Sequence, residues 1–138
     1  MTDLIATLEG LTSPDREVDA HIHALAIGGR VHFVDKDQAV IERPIDGFWI
    51  RGIYPLKGRK IPRYTASLDA ITALVERVLP GWQWAAWGGA IEAGSTKPRC
   101  MAHVSNGFSQ WTADDCPTPA IALCIALLRA LEARDGTE

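Results

Sequence analysis

The fold is decided by the stretch from Arg99 to Leu131, which reads RCMAHVSNGFSQWTADDCPTPAIALCIALLRAL. Residues 99–104 have the composition of a β-strand. The Asn106-Gly107 dipeptide that follows is a strong signal for a two-residue hairpin turn, which makes residues 108–112 the return strand. The first half of the stretch therefore predicts an antiparallel hairpin.

The second half of the stretch predicts a long helix. Thr118 is suited to the N-cap, and Pro119 is suited to the first helical position, where a missing N–H costs nothing. Apolar residues recur at helical spacing and extend beyond a single stripe. They are Ile121, Leu123, Cys124, Ile125, Leu127, Leu128 and Leu131. We expect this helix to be buried over much of its surface.

Three further helices are predicted, at residues 3–9, 14–27 and 66–79. Ser13 is a natural N-cap for the second, with Pro14 at its first position, and Gly28-Gly29 ends it. Thr65 or Ser67 can cap the third. Shorter apolar segments predict strands at residues 31–34, 39–41, 82–87 and 90–93.

The order of these elements predicts an α+β domain, a mostly antiparallel sheet with helices packed on it as a helix–sheet–helix sandwich. The 138 residues contain no evident linker, so we expect a single domain over 1–138. Residues 44–63 carry several glycines and prolines and are predicted to be irregular. A long irregular connection in a compact domain is often functional.

Three segments of the chain together resemble the phage ABA-sandwich domain family. They read LTSPDREVDA from Leu11, PRYTASLDA from Pro62 and TPAIALCIALLRA from Thr118. The resemblance covers most of the chain, with residues 30–61 and 88–116 least alike. It implies a helix–sheet–helix sandwich and a phage or prophage origin. It implies no activity, so no catalytic residue is carried over.

Charge is unevenly distributed along the chain. The net charge is −3, yet residues 47–68 hold five basic residues and no acidic one. An acidic protein with one basic segment does not suit duplex nucleic acid, which requires a broad cationic surface. A small anion suits it better, because a few donors are enough to hold one. The other interpretation is that this segment is simply a solvated loop.

Aromatic residues add to the anion-site hypothesis. Tryptophan is frequent, with five residues, and indoles near arginines can stack a planar ring while the guanidiniums hold phosphates. We expect Trp49 to be exposed and Trp82, Trp84 and Trp111 to be core residues. The predicted ligand-binding residues are Trp49, Arg51, Tyr54, Arg59, Arg63, Tyr64, Ser67 and Arg99, in part at the N-terminus of the third helix.

Catalytic, metal and cofactor sites are not predicted. The sequence has no G-x-S-x-G, P-loop or G-x-G-x-x-G motif. His21 and His23 are two residues apart and so face different sides of a helix, whereas a metal pair needs a spacing of four. Three cysteines without C-x-x-C spacing favour neither a disulfide framework nor zinc. A small phosphodiester hydrolase would have to pair His32 or His103 with Asp114 or Asp115.

These observations predict a non-catalytic phage or prophage accessory protein that binds a small anionic ligand. Such a protein would sequester a host nucleotide immune signal. The alternative is a protein-interaction module that inhibits or adapts a host protein through the same aromatic and basic segment. Both are compatible with a homodimer formed through the last helix. The acidic N-terminus lacks the basic region of a signal peptide, and no apolar run of about 18 residues occurs, so we expect a cytoplasmic protein without a membrane span. The phage origin that the resemblance implies makes this the cytoplasm of the bacterial host.

Overall fold

A computed structural model describes residues 2–88 and 100–136. It contains four helices and two three-stranded antiparallel sheets, which confirms the α+β class with helices packed on sheets. The helices are α1 (Thr2–Glu9), α2 (Arg16–Ala26), α3 (Leu68–Val78) and α4 (Pro119–Gly136). The strands are β1 (Arg30–Val34), β2 (Gln38–Ile45), β3 (Phe48–Pro55), β4 (Gln83–Gly88), β5 (Cys100–Ser105) and β6 (Gln110–Cys116). The strand expected at residues 90–93 lies outside the described residues.

The chain divides into two compact units. The insert unit is Asp15–Arg63, and the α4 unit comprises the residues up to Pro14 together with those from Tyr64 on. Each unit has its own sheet, β1-β2-β3 in the insert unit and β4-β5-β6 in the α4 unit. The expectation of one sheet is therefore corrected to two, because the strands before α3 pair with one another.

In the α4 unit, α4 is the central element. It contacts β4, β5 and β6 and also packs against α1 and α3. Residues 120–128 are all buried, which confirms the expected burial of this helix. Thr118 caps it as predicted, since its hydroxyl accepts the Ile121 N–H at 3.1 Å. The apolar surface of α4 is thus used inside its own unit. The homodimer expected through this helix stays a prediction.

Three tryptophans of the α4 unit, Trp82, Trp84 and Trp111, are half-buried, which corrects the expectation that they are core residues. Trp84 and Trp111 lie opposite Val104 of the central strand β5, one on each neighbouring strand. Trp82 stacks on Trp111, with 5.6 Å between the ring centroids. The outer strands β4 and β6 leave the rings of Trp84 and Trp111 partly exposed, whereas Val104 between them is fully buried.

The hairpin between β5 and β6 differs from the prediction at its turn. Asn106 N–H donates to the Ser109 carbonyl, and the Asn106 side chain accepts from the N–H groups of Phe108 and Ser109. The side-chain oxygen thus builds a four-residue loop, and the return strand begins at Gln110 rather than Phe108. The pairing of the two strands is as predicted.

In the insert unit, α2 packs on one face of the β1-β2-β3 sheet. The N-cap of α2 is Asp15, whose carboxylate accepts the Glu17 and Val18 N–H groups, so the expectation of Ser13 is wrong by two residues. Asp is as good a cap as Ser and adds a charge that the helix N-terminus favours. Gly28, with φ 71°, ends the helix region as predicted.

The β2–β3 hairpin corrects the prediction that residues 44–63 are irregular. Strand β2 runs to Ile45, β3 begins at Phe48, and all eight residues of each strand are paired in register. The two residues between them, Asp46 and Gly47, have φ of 50° and 83°. Positive φ at both positions is what a tight two-residue hairpin turn requires, and Asp-Gly is a preferred sequence for it.

Candidate functional site

The β1-β2-β3 sheet has one covered face and one exposed face. Side chains alternate along a strand, so Ala39 and Ile41 of β2 point toward α2, where they form a core with Ala20 and Ala24. Val40, Glu42 and Pro44 point the other way. We call that second side the open face, and it carries Arg30, His32, Phe33, Val40, Glu42, Pro44, Trp49, Arg51 and Ile53.

Glu42 is the centre of the open face. Its backbone partners are Arg30 on β1 and Arg51 on β3, and both guanidiniums reach its carboxylate through Nε, at 3.4 Å and 3.2 Å. His32, at the register shift between Val31 and Phe33, places Nδ1 3.5 Å from the same carboxylate. Three basic side chains thus converge on one acid, which holds them in place.

Electrostatics keep Glu42 ionised. The hydrogen bond from Arg51 is the largest cause that lowers its pKa below the ordinary value, and the charge of Arg30 adds to it. Partial burial raises the pKa of Glu42, but by less than the hydrogen bonds and the neighbouring charges lower it. A carboxylate with a lowered pKa is a weak base, so Glu42 is suited to fixing guanidiniums rather than to moving protons.

Trp49 lies beside this cluster. The Arg30 guanidinium lies over its indole ring, with Cζ 3.9 Å from the ring centroid. Trp49 is 47% exposed, which confirms the expectation of an exposed indole in this segment. The stack presents a planar cation and an aromatic ring to solvent at the same point of the open face.

Apolar residues occupy the other end of the open face. Phe33 and Ile53 both lie opposite Val40 in the register and are 50% and 60% exposed. Exposed large apolar side chains that share a face with charged ones are typical of binding surfaces. The open face therefore has aromatic groups at both ends and cations between them.

A basic loop follows β3, and Arg16 holds it. The Arg16 guanidinium donates to the carbonyls of Leu56 and Ile61 at 2.8 Å and 2.9 Å, and to that of Pro62 at 3.3 Å. It also forms an ion pair with Asp19 at 2.8 Å. The loop therefore has a defined backbone, and its basic side chains are exposed. These are Lys57, Arg59 and Lys60.

The structure brings only part of the sequence-predicted site together. Trp49 and Arg51 share the open face, and Arg59 lies in the basic loop. Tyr54 differs from the expectation, because its position in β3 places it on the α2 side, with its ring in an edge contact 5.4 Å from His23. The alternation of side chains along β3 thus separates Tyr54 from Trp49 and Arg51.

The remaining predicted residues lie elsewhere. Arg63 is at the end of the insert unit, whereas Tyr64 and Ser67 belong to the α4 unit. Tyr64 is buried, and the Ser67 hydroxyl accepts the Ala70 N–H as the N-cap of α3. Both side chains therefore have a structural role, and their expected ligand contacts stay a prediction. Arg99 lies outside the described residues.

The α4 unit contains a separate cavity of about 230 Å³. Its lining includes Glu9, Asp114, Asp115, Cys116 and Arg129, and Arg129 is ion-paired with Glu9 at 2.9 Å. Burial is the largest cause that raises the pKa of the Cys116 thiol to about 11, so it is a poor nucleophile near neutral pH. The pairing of His103 with Asp114 or Asp115 stays a prediction; the His103 ring lies in an edge contact with Trp87.

Sequence reasoning missed most of the open face, and above all Arg30, Phe33 and Glu42. The Asp46-Gly47 dipeptide is the signal that could have found them. Once it is interpreted as a hairpin turn, β2 and β3 align, and Arg51 lies opposite Glu42. Arg30 and Phe33 then follow from pairing β1 with β2, but the bulge at His32 has no sequence signal.

Comparison with known proteins adds no relative. No family model, curated protein or solved structure matches this chain. The resemblance to the phage ABA-sandwich family stays a prediction. In residues 2–88 and 100–136, no group of three metal-ligating side chains is placed to hold a metal ion, and no helix is long and apolar enough to cross a bilayer.

Proposed function

We propose that this protein is a non-catalytic binding protein that takes an anionic, ring-bearing ligand on the open face of the β1-β2-β3 sheet. The observation that carries the proposal is the convergence of Arg30, His32 and Arg51 on Glu42 beside Trp49. Phosphate groups and planar rings are the ligand chemistries that guanidiniums and an indole recognise.

The Glu42 ion pairs hold Arg30 and Arg51 in positions from which they can bind an anion. Arg30 and Arg51 meet Glu42 through Nε, so those ion pairs do not use their terminal nitrogens, and both side chains are more than half exposed. A guanidinium has five N–H donors in a rigid fork, so one ion pair leaves donors for a second. Because Glu42 already orders the two side chains, ligand binding costs less side-chain conformational entropy.

The distribution of charge between the units favours the same location. The insert unit has nine basic and seven acidic residues and a net charge of +2, whereas the α4 unit has five basic and ten acidic residues and a net charge of −5. An anion is therefore attracted to the insert unit and repelled by the other.

The phage setting is part of this proposal. A binder without turnover affects a cell by lowering the free concentration of its ligand, which is the action required to sequester a host nucleotide immune signal. The protein would act in the cytoplasm of the bacterial host. Its support is the predicted family resemblance together with the cationic, aromatic open face.

Calorimetry against cyclic mono-, di- and trinucleotides and ADP-ribose derivatives tests the proposal. We expect binding by at least one of them and a loss of about tenfold or more in Arg51→Ala, the cost of one charge-assisted hydrogen bond. Arg43→Ala is the matched control, because Arg43 neighbours Glu42 on β2 but lies on the opposite face. Absence of binding by all of these nucleotides would contradict the proposal.

A protein-interaction module is the second candidate. Strand β3 is an edge of its sheet, and its other side carries Phe48 and Ile50, which are 72% and 47% exposed. An exposed apolar edge strand is a template for pairing with another chain. A stoichiometric host protein that is retained by the wild type and lost in Phe48→Asp would favour this candidate over the first.

A further inference from the structure

We infer that the open face takes a single strand of nucleic acid, several nucleotides long, rather than a lone nucleotide. The inference rests on the proposed function and names the ligand class of the same site. Three observations support it. They are the distance between Trp49 and Phe33 along the sheet, the position of Arg30 and Arg51 between these two rings, and the basic loop that follows β3 at the Phe33 end of the sheet.

The two aromatic residues of the open face are too far apart for one base. Trp49 lies opposite Pro44, and Phe33 lies opposite Val40. These positions on β2 are four residues apart, which at about 3.3 Å per residue is roughly 13 Å. A single nucleobase can stack on one of the two rings, so the use of both requires at least two bases on one strand.

The cations lie where a connecting backbone would pass. Arg30 and Arg51 flank Glu42, which is the β2 position midway between Pro44 and Val40. A strand that stacks a base at each aromatic residue must carry phosphates across this middle part. Donors between stacking groups are the arrangement with which proteins bind single strands without reading their sequence.

The basic loop extends the path. Val34 pairs with Ala39, and Gln38 pairs with Pro55, so the Phe33 end of the sheet is also the end at which β3 leads into Lys57, Arg59 and Lys60. Arg16 fixes the backbone of this loop. Acidic residues oppose the path at three places: Asp46 in the turn at the Trp49 end, Glu42, which is neutralised by its ion pairs, and the turn between β1 and β2. That turn contains Asp35 and Asp37.

A duplex does not fit these observations as well as a single strand. The bases of a duplex are stacked on one another and cannot stack on Trp49 or Phe33 without being extruded. Duplex affinity depends on many phosphate contacts, whereas the insert unit has a net charge of only +2. Stacking of bases on Trp49 and Phe33 therefore requires unpaired bases.

The test is fluorescence anisotropy with a labelled oligodeoxythymidylate of about 12 nucleotides and its RNA counterpart, each at about 50 mM and 200 mM salt. We expect either oligonucleotide to bind at least tenfold more tightly than thymidine monophosphate does in competition. We also expect the affinity to fall with salt, because each phosphate contact releases counterions. A self-complementary duplex of the same length should bind more weakly than the single strand.

Three variants locate the site. Trp49→Ala and Phe33→Ala should each weaken oligonucleotide binding by roughly fivefold or more, the usual effect of losing one stacked base. Phe48→Ala is the matched control, since Phe48 is an exposed aromatic residue of the same strand on the opposite face, and it should bind as the wild type does. Circular dichroism confirms that each variant is folded.

The possible outcomes separate the two proposals. If nucleotides bind but the oligonucleotide binds no more tightly than thymidine monophosphate, the inference is overturned and the proposed function stands. If neither binds, both fail. Duplex binding as tight as that of the single strand, or equal losses in Phe48→Ala and Trp49→Ala, would overturn the inference. A host protein bound at Trp49 and not displaced by the oligonucleotide would also overturn it.

Discussion

The guanidinium of Arg30 lies over the indole of Trp49, with 3.9 Å between Cζ and the ring centroid, although the two residues are far apart in the sequence. One residue is on β1 and the other on β3, so the contact crosses the middle strand β2. The stack joins the two edges of the open face above the Glu42 ion pairs.

We expect this stack to contribute measurably to stability. A double-mutant cycle of Arg30→Ala and Trp49→Ala should give a coupling free energy of about 0.5–1 kcal/mol, the value for an exposed cation–π pair. Urea unfolding followed by circular dichroism measures it. The cycle of Arg43→Ala with Trp49→Ala is the control, because Arg43 lies on the opposite face. Equal coupling in both cycles would contradict the assignment.

The ion pairs of Glu42 predict an acid dependence of stability. Because the pKa of Glu42 is lowered in the folded protein, its stabilising effect is complete above the ordinary glutamate pKa of about 4.3 and is lost as the pH falls below it. The urea midpoint of the wild type should therefore exceed that of Glu42→Gln at pH 7 and approach it near pH 3.

Arg51→Ala provides the control for this acid effect. The hydrogen bond from Arg51 is the largest cause of the lowered pKa, so in the Arg51→Ala background the Glu42→Gln substitution should cost less stability at pH 7 than it does in the wild type. A difference between wild type and Glu42→Gln that stays constant from pH 7 to pH 3 would show that the ion pairs do not stabilise the fold.

Arg16→Lys should loosen the basic loop. Lysine keeps the charge beside Asp19 but cannot reproduce the planar fork that reaches the carbonyls of Leu56 and Ile61 together. We expect a loss of about 2 kcal/mol or more, since hydrogen bonds to charged groups contribute about 1.5–3 kcal/mol each. Trypsin should also cleave faster after Lys57 and Lys60. Arg43→Lys is the control, and equal cleavage rates would contradict the role of Arg16.

Gly29→Ala should destabilise the insert unit for a steric reason. A Cβ at Gly29 would collide with the backbone carbonyl oxygen of Glu42, which cannot move without shifting β2. We expect a loss of about 1–3 kcal/mol, the usual cost of overpacking. Gly58→Ala is the matched control, because its Cβ would have no neighbour closer than 3.6 Å. Similar urea midpoints for the two variants would argue against this close approach.

Local sequence signals predicted much of the fold because they act over a few residues. Thr118 and Pro119 begin α4 as expected, Ser67 is the N-cap of α3, and Gly28 ends the α2 region. The error at residues 44–55 came from counting glycines and prolines without interpreting Asp46-Gly47 as a turn. With that turn, Gln38–Ile45 and Phe48–Pro55 form two paired strands of equal length.

The candidate site was less predictable, because it depends on which side of a strand each residue takes. Trp49 and Arg51 were expected to act with Tyr54, yet an odd and an even position in β3 lie on opposite faces. Arg30 was not expected at all, since its contacts with Glu42 and Trp49 come from strands that are distant in sequence.

The sequence by itself determined the α+β class, the caps of α3 and α4 and the concentration of basic residues between 47 and 68, because each depends on composition or on neighbours within one turn. Only the tertiary structure decided that the strands form two sheets and that one face of the first gathers Arg30, Trp49 and Arg51 around Glu42. The physical reason is strand register: a shift of one residue exchanges the two faces of a strand and would scatter the same side chains.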